Sequence, residues 1–238
     1  MGVSLPANTL DRRAAAEAAD DLLRRHSAIT EPTVFELLGL EWDLLPGVYA
    51  PNLTRSAALY AEWVPYPIGG TFCEIGCGTG YIAVIAALRG CERVTAIDIS
   101  PHATRNTDLN ATRHGVADRV RALWWHMFPP VSEDSLYDVI FWNSNFVEGA
   151  ASDNVDLSHA LFDPGYESHA AFFRHAGDHL NPGGRLFLGF ADLGNREKLA
   201  EVANQYGWEP VIVRLAPSES PYGLIFFQLI EFTRRGTH

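Results

Sequence analysis

Lysine is almost missing from this chain. Lys198 is the only one in 238 residues, and 29 acidic side chains against 18 basic ones leave a net charge of −11. A protein that grips a nucleic-acid backbone ordinarily carries a basic face, because neutralised phosphates supply most of that affinity. Nucleic acid is therefore disfavoured as the main partner. Cysteines are few and odd in number, Cys73, Cys77 and Cys91. That argues against a disulfide framework and fits a reducing compartment. Cys73 and Cys77 stand four apart, but no His or Cys cluster completes a zinc site around them. No metal is expected, and the three are read as small packed residues. The N-terminal MGVSLPANTLDRRAAAEAADD has no long apolar run, so neither a signal peptide nor a membrane anchor is expected and the cytoplasm is the default compartment. Internal repeats and low-complexity tracts are also missing.

The remainder is ordinary for a globular protein, 47% hydrophobic and 20% charged, and long enough for one large domain, or for one domain with a small appendage. Leu10 to His26 are Ala- and charge-rich at helical spacing, which predicts a helix with one face against the core or a second subunit, so a homodimer stays open. A second short helix is expected over Pro32 to Leu38, with Thr30 as its N-cap. Leu44 to Pro51, broken by two prolines and a glycine, reads as an extended strap, and Asn52 to Trp63 as helix. From Thr71 the rhythm changes. Short β-branched or aromatic runs (TFCEI, RVTAI, RVRALWW, YDVIFW, RLFLGF, PVIVRL, GLIFFQLIEF) alternate with helical stretches, which predicts a parallel sheet covered on both faces. Only APSESPYG separates the last two runs, so they are expected to form an antiparallel hairpin across that turn. The fold class predicted is α/β: a Rossmann-like seven-stranded sheet with a C-terminal antiparallel hairpin, helices on both faces and an N-terminal helical cap. Residues 1–63 would form the cap and strap, and 64–238 the ligand-binding domain.

The strongest local signal is Glu74-Ile75-Gly76-Cys77-Gly78-Thr79-Gly80 at a strand-to-helix junction, where open α/β sheets bind ligands. Glycines let the backbone turn sharply and let a ligand approach without a Cβ in the way. The third glycine of a dinucleotide fingerprint belongs three residues after the second; here it comes after two, and no Lys-Ser/Thr pair completes a phosphate loop. An acid before the first glycine repels pyrophosphate and suits a cation. The next strand ends Ala96-Ile97-Asp98, whose carboxylate is placed to accept from ribose hydroxyls. A cation, a ribose and no phosphate describe S-adenosyl-L-methionine.

With these motifs the region from about Thr71 to the C-terminus resembles the class I S-adenosylmethionine-dependent methyltransferases. Leu180-Asn-Pro-Gly-Gly184 is a turn common to that class generally, whereas PGVYAPNLT (Pro46 to Thr54), Asn143-Ser144-Asn145-Phe146 in place of Asn-Pro-Pro-Tyr, and ALFDPG (Ala160 to Gly165) narrow the similarity. They resemble the small-domain group that includes release-factor glutamine methyltransferases and several RNA guanine methyltransferases. The resemblance implies a cofactor shell of Glu74, Gly76, Cys77, Gly78, Gly80, Asp98, Ile99, Trp125, His126 and Asn143. It implies acceptor-side roles for Asn143, Phe146 and His126. Where related enzymes carry an acid for the adenine amino group, this chain has His126; it accepts from adenine or faces the acceptor, and the Trp124-Trp125 pair or the backbone can hold adenine instead. Asn143 can accept an N–H from a planar amine or amide, or merely cap the next turn. Phe146 can stack on a flat group. Loss of both prolines is expected to loosen this loop. An oxygen nucleophile would want a base, with His126, Glu148, His159 and His169 as candidates. Tyr49 and Trp42 either line a lid or pack helices on the sheet. The activity implied is methyl transfer to nitrogen or oxygen of a small molecule or protein side chain. The alternatives are N-methylation of a protein glutamine or a nucleobase, and a non-catalytic cofactor-binding regulator.

Overall fold

The computed structural model describes residues 12–148 and 155–236. Its elements in chain order are α1 (Arg12–Ser27), β1 (Thr33–Leu37), β2 (Leu40–Leu44), α2 (Ser56–Trp63), β3 (Thr71–Ile75), α3 (Tyr81–Leu88), β4 (Arg93–Asp98), α4 (Pro101–Arg113), β5 (Val120–Trp124), β6 (Tyr137–Asn143), α5 (Val155–Ser158), α6 (Glu167–Ala176), β7 (Leu180–Ala191), α7 (Arg196–Gln205), β8 (Trp208–Ser220) and β9 (Gly223–Arg234). Leu10 and Asp11, the expected start of the first helix, lie outside the described residues. No helix among the described residues is long and apolar enough to cross a membrane.

The large sheet has seven strands in the order β5-β4-β3-β6-β7-β9-β8. Its first five are parallel, and the pairs β7–β9 and β8–β9 are antiparallel. The chain steps outward from β3 to β5 and then returns to place β6 on the other side of β3. That reversal opens a crevice at the C-terminal ends of β3 and β6, where such sheets bind ligands.

Alternate residues of each central strand feed two cores. Phe72, Val94, Val139 and Phe141 face α2 and α3; Cys73, Ile75, Ile140 and Trp142 face α6 and α7. The continuous apolar runs of β3 and β6 follow from burial on both faces. Helix α3, YIAVIAAL, is apolar all round because seven of its eight residues are buried. Each fully buried Ile or Val there contributes about 1.5–3 kcal/mol of transfer free energy.

Two expectations from the sequence are corrected. Pro32 to Leu38 is not a helix: Thr33–Leu37 pairs with Leu40–Leu44 as an antiparallel hairpin. The β-branched pair Thr33-Val34 and alternating apolar Phe35, Trp42 and Leu44 suit a half-buried strand. The two-residue turn Leu38-Gly39 has both φ angles positive, 56° and 73°, as a twisted hairpin requires. The hairpin is held by α4, where buried Asn106 and Asn110 act as a substitute strand. Asn106 accepts from the Leu45 N–H at 2.8 Å and donates to the Asp43 carbonyl at 2.7 Å. Asn110 accepts from the Asp43 N–H at 2.7 Å and donates to the Thr79 carbonyl at 2.9 Å. The second correction concerns APSESPYG. Pairing continues to Ser220↔Gly223, so only Pro221 and Tyr222 turn, and the long hairpin carries its tip to the crevice.

Candidate active site

The glycine loop takes its shape from three positive φ angles, 64° at Gly76, 54° at Gly78 and 75° at Gly80. Gly80 has a second reason to be glycine: a Cβ there would lie 2.6 Å from the Thr107 side chain. At Gly78 nothing stands within 4 Å of that position, so the loop's face is open to a ligand. Asp98 ties the loop down. Its carboxylate accepts from the Gly78 N–H and the Ser100 N–H, each at 2.9 Å, leaving each oxygen a further lone pair. Glu74, only 1% exposed, accepts from the Ala83 N–H at 2.9 Å, in the first turn of α3. Burial drives the Glu74 carboxyl well above its ordinary pKa; the Ala83 N–H opposes this and Asp98 adds to it. Burial also raises Asp98, against its backbone donors. Two desolvated carboxyls side by side are the electrostatic setting in which a cation binds.

The loop forms one wall of a cavity of about 710 Å³. The β6 tip, the segment 159–164, helix α1 and the β8–β9 tip form the others. Four lining residues carry buried polar atoms without a partner: Thr79 Oγ1, Tyr81 Oη, Ser100 Oγ and Asn145 Oδ1. Orphans of this kind cost about 1–3 kcal/mol each until a ligand satisfies them. With Glu74, Asp98 and the open glycine loop, they fit a ligand bearing a cation, hydroxyls and a polar tail, as S-adenosylmethionine does.

Of the expected site residues, Glu74, Gly76, Cys77, Gly78, Asp98, Ile99, Trp125, His126, Asn143 and Phe146 line this one cavity. Gly80 sits behind it, as the left-handed residue that starts α3. Trp125 is 48% exposed at the rim, and its backbone N–H donates to the Asp98 carbonyl at 2.9 Å. His126 is exposed beside it.

The candidate bases divide. His126 and His159 line the cavity, whereas Glu148 and His169 do not. Glu148 pairs with Lys198. His169 is fully buried, with Nδ1 2.6 Å from Asp163 Oδ2 and its ring against Trp142 and Tyr166. Burial lowers its pKa, more than Asp163 raises it, so Nδ1–H of the neutral ring donates and Nε2 has no partner. Burial alone would raise Asp163, but its bonds to His169 and the backbone outweigh that and hold it below the carboxylate range. This pair fixes the start of α6. Trp42 is likewise structural: it is buried in the small hairpin and donates to the Leu37 carbonyl at 3.1 Å. Tyr49 lines the cavity and stacks on His26, with centroids 4.3 Å apart.

The expected loosening of the β6 tip is also corrected. Ser144 donates its hydroxyl to the Gly189 carbonyl at 2.9 Å. Asn145 donates its amide to the carbonyls of His159 and Phe162, both at 3.0 Å, and Tyr166 donates to the Phe146 carbonyl at 2.8 Å. Side-chain hydrogen bonds thus hold a turn that two prolines would otherwise stiffen. The Asn143 side chain is left without a hydrogen-bond partner among the described residues, with Oδ1 over Gly189. Sequence reasoning missed Asn145, and the only available signal was a carboxamide in place of a proline.

Comparisons with known proteins agree with this geometry. The family model described as methyltransferase small domain matches residues 41–207. A ribosomal protein L11 methyltransferase of Photobacterium profundum is 32% identical over 123 residues, 50% of this chain and 40% of that protein. One of Vibrio vulnificus is 29% identical over 159 residues, 61% of this chain and 51% of that protein. The aligned part of the chain thus spans about half or less of the length of these relatives. Among solved structures, a ribosomal protein L11 methylase of Lactobacillus delbrueckii subsp. bulgaricus has a TM-score of 0.53 at 17% identity, covering 80% of this chain and 83% of that one. The T. thermophilus 16S rRNA N2 G1207 methyltransferase, in complex with AdoMet and guanosine, has a TM-score of 0.56 at 18% identity, covering 86% and 50%. At these identities the structures speak to the fold. The family match spans the glycine loop, Asp98 and the β6 tip, and with it the chain belongs to the methyltransferase small-domain family.

Proposed function

We propose that this protein binds S-adenosylmethionine and transfers its methyl group to nitrogen or oxygen of a small molecule or protein side chain. The observation that carries the reading is the cavity at the sheet's switch point, where Glu74, Asp98 and the open Gly78 meet the unpartnered Asn143. When bound, S-adenosylmethionine supplies an electrophilic methyl group on a positively charged sulfur. Glu74 and Asp98 lower the cost of holding that positive charge, and Asp98 accepts from the ribose hydroxyls through its free lone pairs. Asn143 Oδ1 accepts from the acceptor's N–H or O–H and aims its lone pair, while Phe146 covers a flat group and excludes water. Positioning of this kind can be worth roughly 7–11 kcal/mol. His126 and His159, at the rim, are the groups available to take a proton. On this reading residues 1–63 are assigned to the cap and strap and 64–238 to the cofactor domain.

Relatives named ribosomal protein L11 methyltransferases favour a protein side chain as a second acceptor class. The net charge of −11 weighs against RNA. Methyl-labelled S-adenosylmethionine tests the proposal against a panel of small amines, amides and phenols and an L11-type ribosomal protein. Label should pass to one class with the natural chain and fall at least about tenfold with Asn143→Ala, the worth of a hydrogen bond made at the reacting centre. Cofactor binding with no transfer to any member would instead mark a regulator.

A further inference from the structure

The cavity wall contains five acids, Asp21, Glu74, Asp98, Asp163 and Glu167, but among the described residues only one lysine or arginine, Arg25. Arg25 stands in the last turn of α1, outside the 41–207 family match. Its neighbour Arg24 is engaged by Asp21 at 3.1 Å, whereas Arg25 has no ion pair or hydrogen bond among the described residues. Its place is set by what surrounds it. Leu22 and Ala19, on the same helix, pack with Val147, Leu161 and Phe162 of the opposite wall. The next residue, His26, is buried with its ring stacked on Tyr49. Tyr49 Oη lies 3.2 Å from Thr54 Oγ1, both on the cavity wall. The guanidinium is within electrostatic reach of that hydroxyl, since it opposes the rise that burial imposes on the Tyr49 pKa. Arg25, Tyr49, Tyr81 and Glu74 all line this one cavity.

An amino-acid arm carries an ammonium and a carboxylate. The Glu74 end of the cavity takes the ammonium, and the carboxylate is left facing a wall of acids unless a cation meets it. We propose that Arg25 is the counter-ion for the carboxylate of the cofactor's methionyl arm, so that the ligand clamps α1 over the site it occupies. This rests on the cofactor reading above and goes beyond it, because it assigns a binding role to a helix that the family match does not include.

The test compares S-adenosylhomocysteine with 5′-methylthioadenosine, which has the same nucleoside and lacks the amino-acid arm. Both are titrated by calorimetry into the natural chain, Arg25→Gln and Arg25→Lys. Arg25→Gln should weaken S-adenosylhomocysteine about five- to thirtyfold and leave 5′-methylthioadenosine unchanged, with Arg25→Lys between the two. Amide exchange in α1 should slow with S-adenosylhomocysteine and not with 5′-methylthioadenosine. Equal loss of both ligands, or no loss of either, would overturn the assignment to the carboxylate. Failure of the natural chain to bind either ligand would instead overturn the cofactor reading itself.

Discussion

Asp163→Asn separates a structural Asp–His pair from a catalytic one. In the folded protein Asp163 Oδ1 accepts the Ser168 N–H at 3.0 Å, and Oδ2 accepts the His169 N–H at 3.0 Å and meets His169 Nδ1 at 2.6 Å. Asparagine keeps the shape but has one acceptor oxygen, so at least one of these buried donors faces an NH2 group instead. An orphaned buried donor costs about 1–3 kcal/mol, and loss of the charge that strengthens the remaining bonds adds about another 1 kcal/mol. The variant should therefore lose about 2–4 kcal/mol of stability. At roughly 2–4 °C per kcal/mol for a chain of this size, thermal unfolding should shift down by about 4–16 °C. His169 is buried and does not line the cavity, and Asp163, which does, has both oxygens engaged by Ser168 and His169, so affinity for S-adenosylhomocysteine and turnover well below the new midpoint should fall by less than about threefold. A variant with unchanged melting and turnover reduced a hundredfold would refute this reasoning and return His169 to the candidate bases.

Two further outcomes follow from the same structure. Gly80→Ala must place a Cβ at φ 75° and 2.6 Å from Thr107; a drop of about 2–4 kcal/mol in denaturant unfolding is expected, with partial recovery in Gly80→Ala/Thr107→Ala. His26 is buried, and burial lowers its pKa more than its bonds to backbone carbonyls raise it. The unfolded chain therefore takes up a proton there first, and stability from this group is present above about pH 6.5 and lost as pH falls below it. His26→Phe keeps the stack on Tyr49 and removes that proton, so the fall in stability between about pH 7.5 and 5.5 should be shallower by up to about 1.4 kcal/mol per pH unit. Equal slopes would show that His26 titrates alike folded and unfolded.

What the sequence disclosed and what it hid follow physical lines. The seven-stranded sheet was legible because central strands buried on both faces are unbroken apolar runs, and the glycine loop because Gly76, Gly78 and Gly80 each need a left-handed backbone. The small hairpin was hidden because its turn is Leu38-Gly39, with a leucine where asparagine or aspartate would have announced it. Its support by Asn106 and Asn110 is invisible locally, since their partners near Asp43 are more than 60 residues away. At the site, the place of Asp98 at the end of β4, on the cavity wall, was legible, but not its anchoring of Gly78, a contact made 20 residues apart. The stapling of Asn145 to His159 and Phe162 could not be read from a motif that describes prolines. The burial of His169 away from the cavity was hidden because a histidine's burial depends on which helix face meets the sheet.

If the cavity at β3, β4 and β6 holds S-adenosylmethionine through Asp98, as proposed, affinity must depend on that carboxylate. Calorimetric titration of S-adenosylmethionine into the natural chain and Asp98→Ala tests it most directly, with circular dichroism to show that both are folded. One site per chain is expected, with affinity reduced about ten- to hundredfold in Asp98→Ala, the loss of one or two hydrogen bonds to a carboxylate. Equal affinity in the two folded proteins, or no binding by the natural chain, would contradict it.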